Sequence, residues 1–118
     1  MLSVTRHRVG AGQGESFQAQ ARAALDALRI RSGFLGGSAG PSTDDPGLWV
    51  VVTWWQDVGS FRRALSALDV KLTAVPLLAT AIDEASAFEP LLSATPDEVS
   101  TRSSDRAEDA ESAGPWRG

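Results

Sequence analysis

Residues 48–57 read Leu-Trp-Val-Val-Val-Thr-Trp-Trp-Gln-Asp and decide the fold. Seven of the first eight residues are apolar, and three of these are tryptophan. An Asp-Asp-Pro-Gly turn precedes the run, and Asp57 follows it as a candidate helix cap. The β-branched and aromatic content favours a strand over a helix. We therefore expect a central strand that is buried on both faces, in a sheet covered by helices on at least one side.

Patterns on either side of this strand predict the other elements. Apolar residues at helical spacing predict a helix over 16–31, which Gly33 would end, and a second helix that begins at Asp57 and has Leu68 on its apolar face. A short helical turn from Asp69 would end at Pro76. Alternation predicts strands over 2–9 and 77–88, and a weak strand over 33–40 whose four glycines suggest a bulge or an edge position.

The predicted order is strand, helix, strand, strand, helix, strand. This order is typical of an α+β, ferredoxin-like βαββαβ sandwich with an antiparallel sheet, in which both helices cover the same face. The opposite face would carry Trp or Val side chains, and an apolar surface of that kind needs a partner. We expect a homodimer that buries sheet against sheet.

The C-terminal residues differ in composition from the rest of the chain. Residues 95–118 contain six acidic and three basic residues and very few apolar ones. Such a segment cannot bury enough apolar surface to offset the loss of chain entropy on folding. We therefore predict a folded domain at 1–94 and a disordered acidic tail at 95–118.

Composition excludes several classes of function. The net charge of the chain is −4, whereas nucleic acid or an anionic membrane would require a basic face. Cysteine is absent and there is only one histidine, so the sequence contains no pattern typical of a metal site. No apolar run is long enough to span a bilayer, and the N-terminal residues lack the apolar core of a signal peptide. The expected location is the cytoplasm.

Two motifs carry a resemblance to a known family. The run Val-Thr-Trp-Trp-Gln-Asp-Val-Gly-Ser-Phe-Arg-Arg-Ala-Leu at 52–65, and Gly-Phe-Leu-Gly-Gly at 33–37 before the Asp-Asp-Pro turn, resemble the antibiotic biosynthesis monooxygenase superfamily of dimeric α/β barrels. The resemblance covers roughly residues 1–93. It implies a sheet-to-sheet dimer and a pocket between the helices and the sheet. It also implies a relation to cofactor-independent oxygenases that act on aromatic polyketides or quinols.

The resemblance can be extended to single residues. The tryptophan of the family's Trp-x-Asp/Ser motif falls on Trp55, which implies an indole at the pocket wall. An asparagine that several family enzymes use on the first strand falls on or near Thr5, and this chain has no asparagine. The haem-ligating histidine of the haem-degrading branch would fall near Ala74 or Val75. Haem degradation is therefore the least favoured activity.

The candidate catalytic residues are His7, Thr5 and Trp55. His7 shares a strand face with Thr5, and its imidazole could act as a general base that removes a phenolic proton. Trp55 could stack on a planar substrate. The alternative interpretation is that His7 is a buried histidine with ordinary hydrogen bonds and that Trp55 fills the core. The candidate pocket walls are Phe17, Phe61 and Leu65, so that all six residues would line one cavity.

These residues support two main functional hypotheses. The first is a small cofactor-independent monooxygenase that acts on an aromatic or quinone-like molecule and requires neither cofactor nor metal. The second is a non-catalytic dimer of the same fold that binds a small apolar or aromatic ligand or has a structural role. Oxygen uptake with a panel of phenols would distinguish the two hypotheses.

Overall fold

The computed structural model describes residues 1–103. These residues belong to two compact units, Met1–Phe88 and a unit that begins at Glu89. The first unit contains the strands β1 (Leu2–Arg8), β2 (Phe34–Pro41), β3 (Leu48–Trp55) and β4 (Ala87–Phe88) and the helices α1 (Gly14–Leu28), α2 (Val58–Leu65) and α3 (Leu68–Leu78). The strands β5 (Leu92–Ala94) and β6 (Val99–Thr101) lie in the second unit.

The four strands of the first unit form one antiparallel sheet in the order β2-β3-β1-β4. With the helices, this gives an α+β architecture and confirms the ferredoxin-like fold class. Because β3 and β1 are the inner strands, the side chains at the middle of the sheet come from these two strands.

Alternation along β3 separates its two faces. Trp49, Val51, Thr53 and Trp55 are buried, whereas the residues between them are half-buried or exposed. Successive side chains of a strand point to opposite faces, so the four buried residues form the face that packs against the helices. The prediction that β3 is buried on both faces is therefore correct only for the face that packs against the helices.

The glycine-rich strand β2 lies at one edge of the sheet. Its pairing with β3 shifts register between Phe34 and Gly36, which is a β-bulge or a comparable irregularity. Both features agree with the sequence prediction. Gly33, just before the strand, has φ +90°, and a Cβ at this position would clash with the side chain of Ser60. Glycine is therefore required where the chain turns from α1 into β2.

The helices α1 and α2 follow the predicted patterns. In α1 the buried residues are Phe17, Ala21, Ala24 and Leu28, which fall on one helical face. Asp57 caps α2 as predicted, because its side chain accepts a hydrogen bond of 2.7 Å from the backbone N–H of Ser60.

The region from Leu68 to Phe88 differs from the prediction. Residues 77–88 were predicted as a strand, but Leu77 and Leu78 complete α3 and only Ala87–Phe88 pair with β1. Leu68 begins α3 and is exposed, so it does not extend the buried face of α2. The helix continues past Pro76 because Val70, Ala74 and Leu77 share one buried face at helical spacing. Burial of this face outweighs the helix-breaking tendency of proline.

In the second unit, β5 and β6 form a two-stranded antiparallel hairpin. The hairpin includes residues 95–101, which were predicted to begin a disordered tail. Hydrogen bonds between neighbouring residues stabilise its turn, since the Thr95 hydroxyl accepts from the backbone N–H groups of Asp97 and Glu98. Thr-Pro-Asp is a turn sequence and Val99 has high strand propensity, so local preferences explain the difference. The rest of the predicted tail, residues 104–118, lies outside the described residues.

Candidate functional site

A row of polar side chains crosses the helix-facing side of the sheet. Ser3, Thr5 and His7 of β1 and Thr53 of β3 are all buried. They share this face because Ser3 pairs with Thr53, Thr5 with Val51 and His7 with Trp49. Buried polar groups need hydrogen-bond partners, and no buried side-chain nitrogen or oxygen lacks one within residues 1–103.

His7 is at the centre of a hydrogen-bonded chain of three side chains. Its Nε2 lies 2.8 Å from the Thr5 hydroxyl oxygen, and its Nδ1 lies 3.0 Å from the Thr80 hydroxyl oxygen. The Thr80 hydroxyl also donates to the backbone carbonyl of Leu77 over 2.7 Å. The imidazole is only 1% exposed, so these threonines replace the water that would otherwise solvate its two nitrogens.

The surroundings of His7 are otherwise apolar. The Phe17 ring lies 5.1 Å from the imidazole, centroid to centroid, and Trp49 lies 5.2 Å beyond Phe17. Burial lowers the pKa of His7 below its ordinary value of 6.5, and no charged neighbour within the described part of the chain opposes this effect. His7 is therefore neutral at pH 7, the form in which a histidine can accept a proton.

A cavity of about 500 Å³ lies beside this row of polar side chains. Ser3 and Thr5 of β1 and Phe61 and Leu65 of α2 form part of its wall. The remainder comes from β1 and from the chain between the end of α3 and β4, with the lining residues Val4, Leu78, Ala79, Ala81, Ile82, Asp83, Glu84 and Ser86. Seven of these twelve residues are apolar, three carry hydroxyl groups and two carry carboxylates. An apolar surface with polar groups that can fix the orientation of a ligand is found in many small-molecule sites.

The six candidate residues divide between the cavity wall and the core. Thr5, Phe61 and Leu65 line the cavity. His7 does not line it, but reaches it through the Thr5 hydroxyl. Phe17 packs on His7, on the side of Trp49.

Trp55 lies at the other end of the sheet face from His7. His7 pairs with Trp49, and Trp49 precedes Trp55 by six residues, or about 20 Å of strand. Trp55 is 1% exposed, donates from its indole N–H to the Thr53 hydroxyl over 2.9 Å, and packs on Phe61 with 5.6 Å between ring centroids. The structure therefore does not place Trp55 and His7 on the wall of one cavity. Trp55 instead packs in the core against Phe61, which lines the cavity.

Carboxylates form part of the cavity wall. Glu84 makes a two-point ion pair with Arg6, with distances of 2.8 Å from Nε and 2.7 Å from Nη2. The hydrogen bond from Arg6 lowers the pKa of Glu84 below its ordinary value, so Glu84 is ionised at neutral pH. Asp83 lies next to it, and neither arginine nor lysine is among the residues that line this cavity. Because Arg6 offsets the charge of Glu84, Asp83 supplies the remaining negative charge of this wall, which favours neutral ligands over anions.

Sequence reasoning missed Thr80 and the cavity wall at 78–86. Both lie in the stretch that was predicted as a strand, where a threonine hydroxyl would have no defined partner. The signal that could have placed them is the spacing of Val70, Ala74 and Leu77, which continues the helix to Leu78 and puts Thr80 in the turn after it.

Two other kinds of site are absent from residues 1–103. These residues contain no group of three or more His, Cys, Asp or Glu side chains that could hold a metal ion. None of their helices is long and apolar enough to cross a membrane.

Comparison with known families agrees with the fold and confirms the family that the sequence resembles. The sequence profile described as antibiotic biosynthesis monooxygenase matches residues 1–74. The chain belongs to the antibiotic biosynthesis monooxygenase family. The matched region contains β1, Thr5, His7 and both cavity residues of α2. No curated protein matches the sequence.

Solved structures share the family fold. SnoaB, a cofactor-independent oxygenase from Streptomyces nogalater, is similar with a TM-score of 0.60 and 23% identity over 69% of this chain and 82% of SnoaB. A conserved protein from Methanosarcina mazei Go1 is similar with a TM-score of 0.60 and 16% identity over 73% of this chain and 84% of that protein. At these identities the similarity shows a common fold.

The buried state of His7 predicts a dependence of stability on pH. Because the pKa of His7 is lower in the folded than in the unfolded protein, the unfolded chain binds more protons below about pH 6.5. The free energy of unfolding should therefore rise as pH increases from about 5 to 7, a range above the carboxyl pKa values. Urea denaturation across this range should show the rise in the wild type and a flatter profile in His7→Gln. Equal slopes in the two proteins would contradict the proposed burial of a neutral imidazole.

Proposed function

We propose that this protein is a cofactor-independent monooxygenase that oxidises an aromatic or quinone-like molecule carrying a phenolic group. The observation that carries this proposal is Thr5, which lines the cavity and whose hydroxyl oxygen lies 2.8 Å from Nε2 of the buried His7. A neutral imidazole joined to a cavity through one hydroxyl group can act as a general base on a bound substrate. SnoaB, of similar fold, is a cofactor-independent oxygenase, which supports this class of reaction.

Proton removal would proceed through Thr5. A substrate O–H or acidic C–H beside Thr5 gives its proton to the Thr5 oxygen, while the Thr5 hydroxyl proton passes to Nε2 of His7. The resulting imidazolium donates from Nε2 to Thr5, whose hydroxyl then turns to the backbone carbonyl of Val51, 3.5 Å away. Each proton on this path therefore has an acceptor before and after the transfer.

Oxidation would then follow from the electron-rich anion of the substrate. The anion transfers an electron to O₂, and the two radicals combine to form a carbon–oxygen bond and a peroxide anion. His7 returns the proton to the peroxide through Thr5. Loss of water from the hydroperoxide leaves a carbonyl group. In total the substrate loses its phenolic and one ring hydrogen and gains one oxygen, so that a phenol and O₂ become a quinone and H₂O. The four electrons required by O₂ come from the substrate, and no external reductant is needed.

The cavity walls suit a neutral aromatic substrate. Phe61 and Leu65 give the cavity an apolar surface, and Ser3 and Thr5 line the same cavity. The apolar side excludes water from the anion, while the hydroxyls hold its polar group in place. Asp83 on the same wall would disfavour a carboxylated substrate, whereas Arg6 offsets the charge of Glu84. We therefore include neutral phenols and hydroquinones in the proposed substrate class and exclude aromatic acids.

We also propose that the protein acts as a homodimer that buries the sheet face opposite the helices. This face carries half-buried and exposed apolar side chains from three strands, among them Leu2, Val52, Trp54 and Phe88. Trp54 is 42% exposed and Phe88 47% exposed, and contiguous apolar surface of this kind usually marks an interface. A second copy of the chain offers the same apolar face in return.

The enzymatic proposal predicts oxygen uptake with neutral phenols or hydroquinones in the absence of added flavin or metal. His7→Gln and Thr5→Val should each lower kcat by roughly 100-fold, because each removes one member of the proton path. Thr73→Val is the matched control, since Thr73 lies on α3 and its hydroxyl donates to the backbone carbonyl of Asp69. An oxygen electrode and product analysis by mass spectrometry measure the effect. Binding of the aromatic compounds without turnover in the wild type would favour the non-catalytic alternative.

The dimer proposal predicts that a charge on the exposed sheet face separates the protomers. Trp54→Asp should raise the dimer dissociation constant by roughly 100-fold or more, because it removes a large apolar contact and buries a charge. Leu72→Asp is the control, since Leu72 is 69% exposed on α3, away from this face. Sedimentation velocity at micromolar concentration measures the change. A wild-type monomer, or equal loss of dimer in both variants, would contradict the proposal.

A further inference from the structure

The Thr80 hydroxyl is held in one orientation by the turn that follows α3. Both its O–H and the Thr80 backbone N–H donate to the carbonyl of Leu77, over 2.7 Å and 3.0 Å. The next residues continue the turn, with Ala81 N–H donating to the carbonyl of Leu78, and Ile82 N–H donates to the carbonyl of Arg6 on β1. The turn is therefore fastened to the strand that carries His7.

This orientation decides which groups donate and which accept. The only hydrogen of the Thr80 hydroxyl points to Leu77, so the Thr80 oxygen faces His7 as an acceptor. The 3.0 Å contact with Nδ1 is then a hydrogen bond only if Nδ1 carries the proton. In a neutral imidazole this leaves Nε2 as the nitrogen with the free lone pair.

The contacts of Thr5 agree with the same assignment. Its hydroxyl has one hydrogen and two possible acceptors, Nε2 of His7 at 2.8 Å and the carbonyl of Val51 at 3.5 Å. With Nε2 unprotonated, the hydroxyl makes the shorter bond, and every group in the chain has a partner. The opposite tautomer requires Thr80 to turn its hydrogen from Leu77 to Nδ1, which breaks the 2.7 Å bond, and requires Thr5 to use the 3.5 Å contact.

We propose that Thr80 is a positioning residue that holds His7 in the Nδ1–H tautomer, so that the basic Nε2 faces Thr5 and the cavity. The catalytic consequence rests on the function proposed above, whereas the tautomer is a property of the protein alone. Thr80 acts through His7 and does not line the cavity. Three residues from β1 and the turn after α3 thus form one directed chain, with Thr80 as acceptor, His7 as donor and base, and Thr5 as donor.

The aromatic rings near His7 do not determine its tautomer, because they form no hydrogen bond with the imidazole nitrogens. The rings packed around it are those of Phe17 and, one layer further, Trp49, which have no charge and no acceptor oriented by the backbone. Burial is the only cause that shifts the pKa of His7. Among residues 1–103, no carboxylate is bonded to His7 that could compete with Thr80 for the Nδ1 proton.

Nitrogen NMR of the uniformly ¹⁵N-labelled protein tests the proposal without knowledge of the substrate. His7 is the only histidine, so the long-range ¹H–¹⁵N correlations of the imidazole belong to one residue. At pH 7.5 the wild type should show a protonated Nδ1 and an unprotonated Nε2. Thr80→Val, which removes the acceptor, should shift the ring toward the Nε2–H form or to a mixture of both forms.

Two further variants separate the hydroxyl from the packing at this position. Thr80→Ser keeps the hydroxyl and should keep the wild-type tautomer. Thr73→Val removes a hydroxyl that bonds within α3 and should also leave the tautomer unchanged. If Thr80→Val does not fold, Thr80→Ala provides the same loss of the acceptor with a smaller side chain. A wild-type Nε2–H ring, or an Nδ1–H ring that persists without the Thr80 hydroxyl, would overturn the proposal.

Kinetics separate this proposal from the proposed function. With a substrate that is turned over, Thr80→Val should lower kcat by about 10-fold or more with little change in KM, because the tautomer affects the chemical step and not the cavity. Thr80→Ser should restore most of the rate. A tautomer shift in a protein that oxidises none of the phenols tested would support the role of Thr80 and count against the monooxygenase. Turnover that is unaffected by Thr80→Val would count against Thr80 alone.

Discussion

The antiparallel register between β1 and β3 determines where every side chain of the candidate site lies. Seven residue pairs link the two strands, from Leu2 with Trp54 to Arg8 with Leu48. Because the side-chain period of a strand is two, a slip of one residue in β1 would move Thr5 and His7 to the opposite face. The buried tryptophans of β3 hold the register, since Trp49 and Trp55 can be covered by helices only on one face. The cost of burying polar residues on that face is offset by the hydrogen bonds among them.

The cavity follows from the shortness of β4. Only Ala87 and Phe88 pair with β1, and the chain before them passes from α3 to the sheet without forming a strand. This leaves a space between the edge of β1 and α2, which the Thr5 hydroxyl borders. The same irregular segment supplies Thr80 to His7, so one departure from regular structure gives both the cavity and the orientation of the proposed base. A longer β4 would satisfy more backbone groups but would fill this space.

The sequence predicted the regular parts of the structure and missed the irregular part. The central strand, the α1 face, the edge position and bulge of β2 and the Asp57 cap all follow from local patterns, because each depends on residues close in sequence. The alternation in β1 was enough to place Thr5 and His7 on one face. The distance between His7 and Trp55 depends on register, which strand patterns alone do not fix. Thr80 is 73 residues from His7 in sequence, and no local pattern connects them.

The proposed activity requires that the cavity beside Thr5 bind the substrate and present it to the proton path of His7. A crystal structure of the protein with a bound polycyclic hydroquinone tests this claim most directly. We expect one phenolic oxygen within hydrogen-bond distance of the Thr5 hydroxyl, with the rings against Phe61 and Leu65. A hydroquinone bound only elsewhere, for example in the groove that Gln18 and Arg22 of α1 form with Ala39 of β2, would contradict the account, as would one whose phenolic oxygens point away from Thr5.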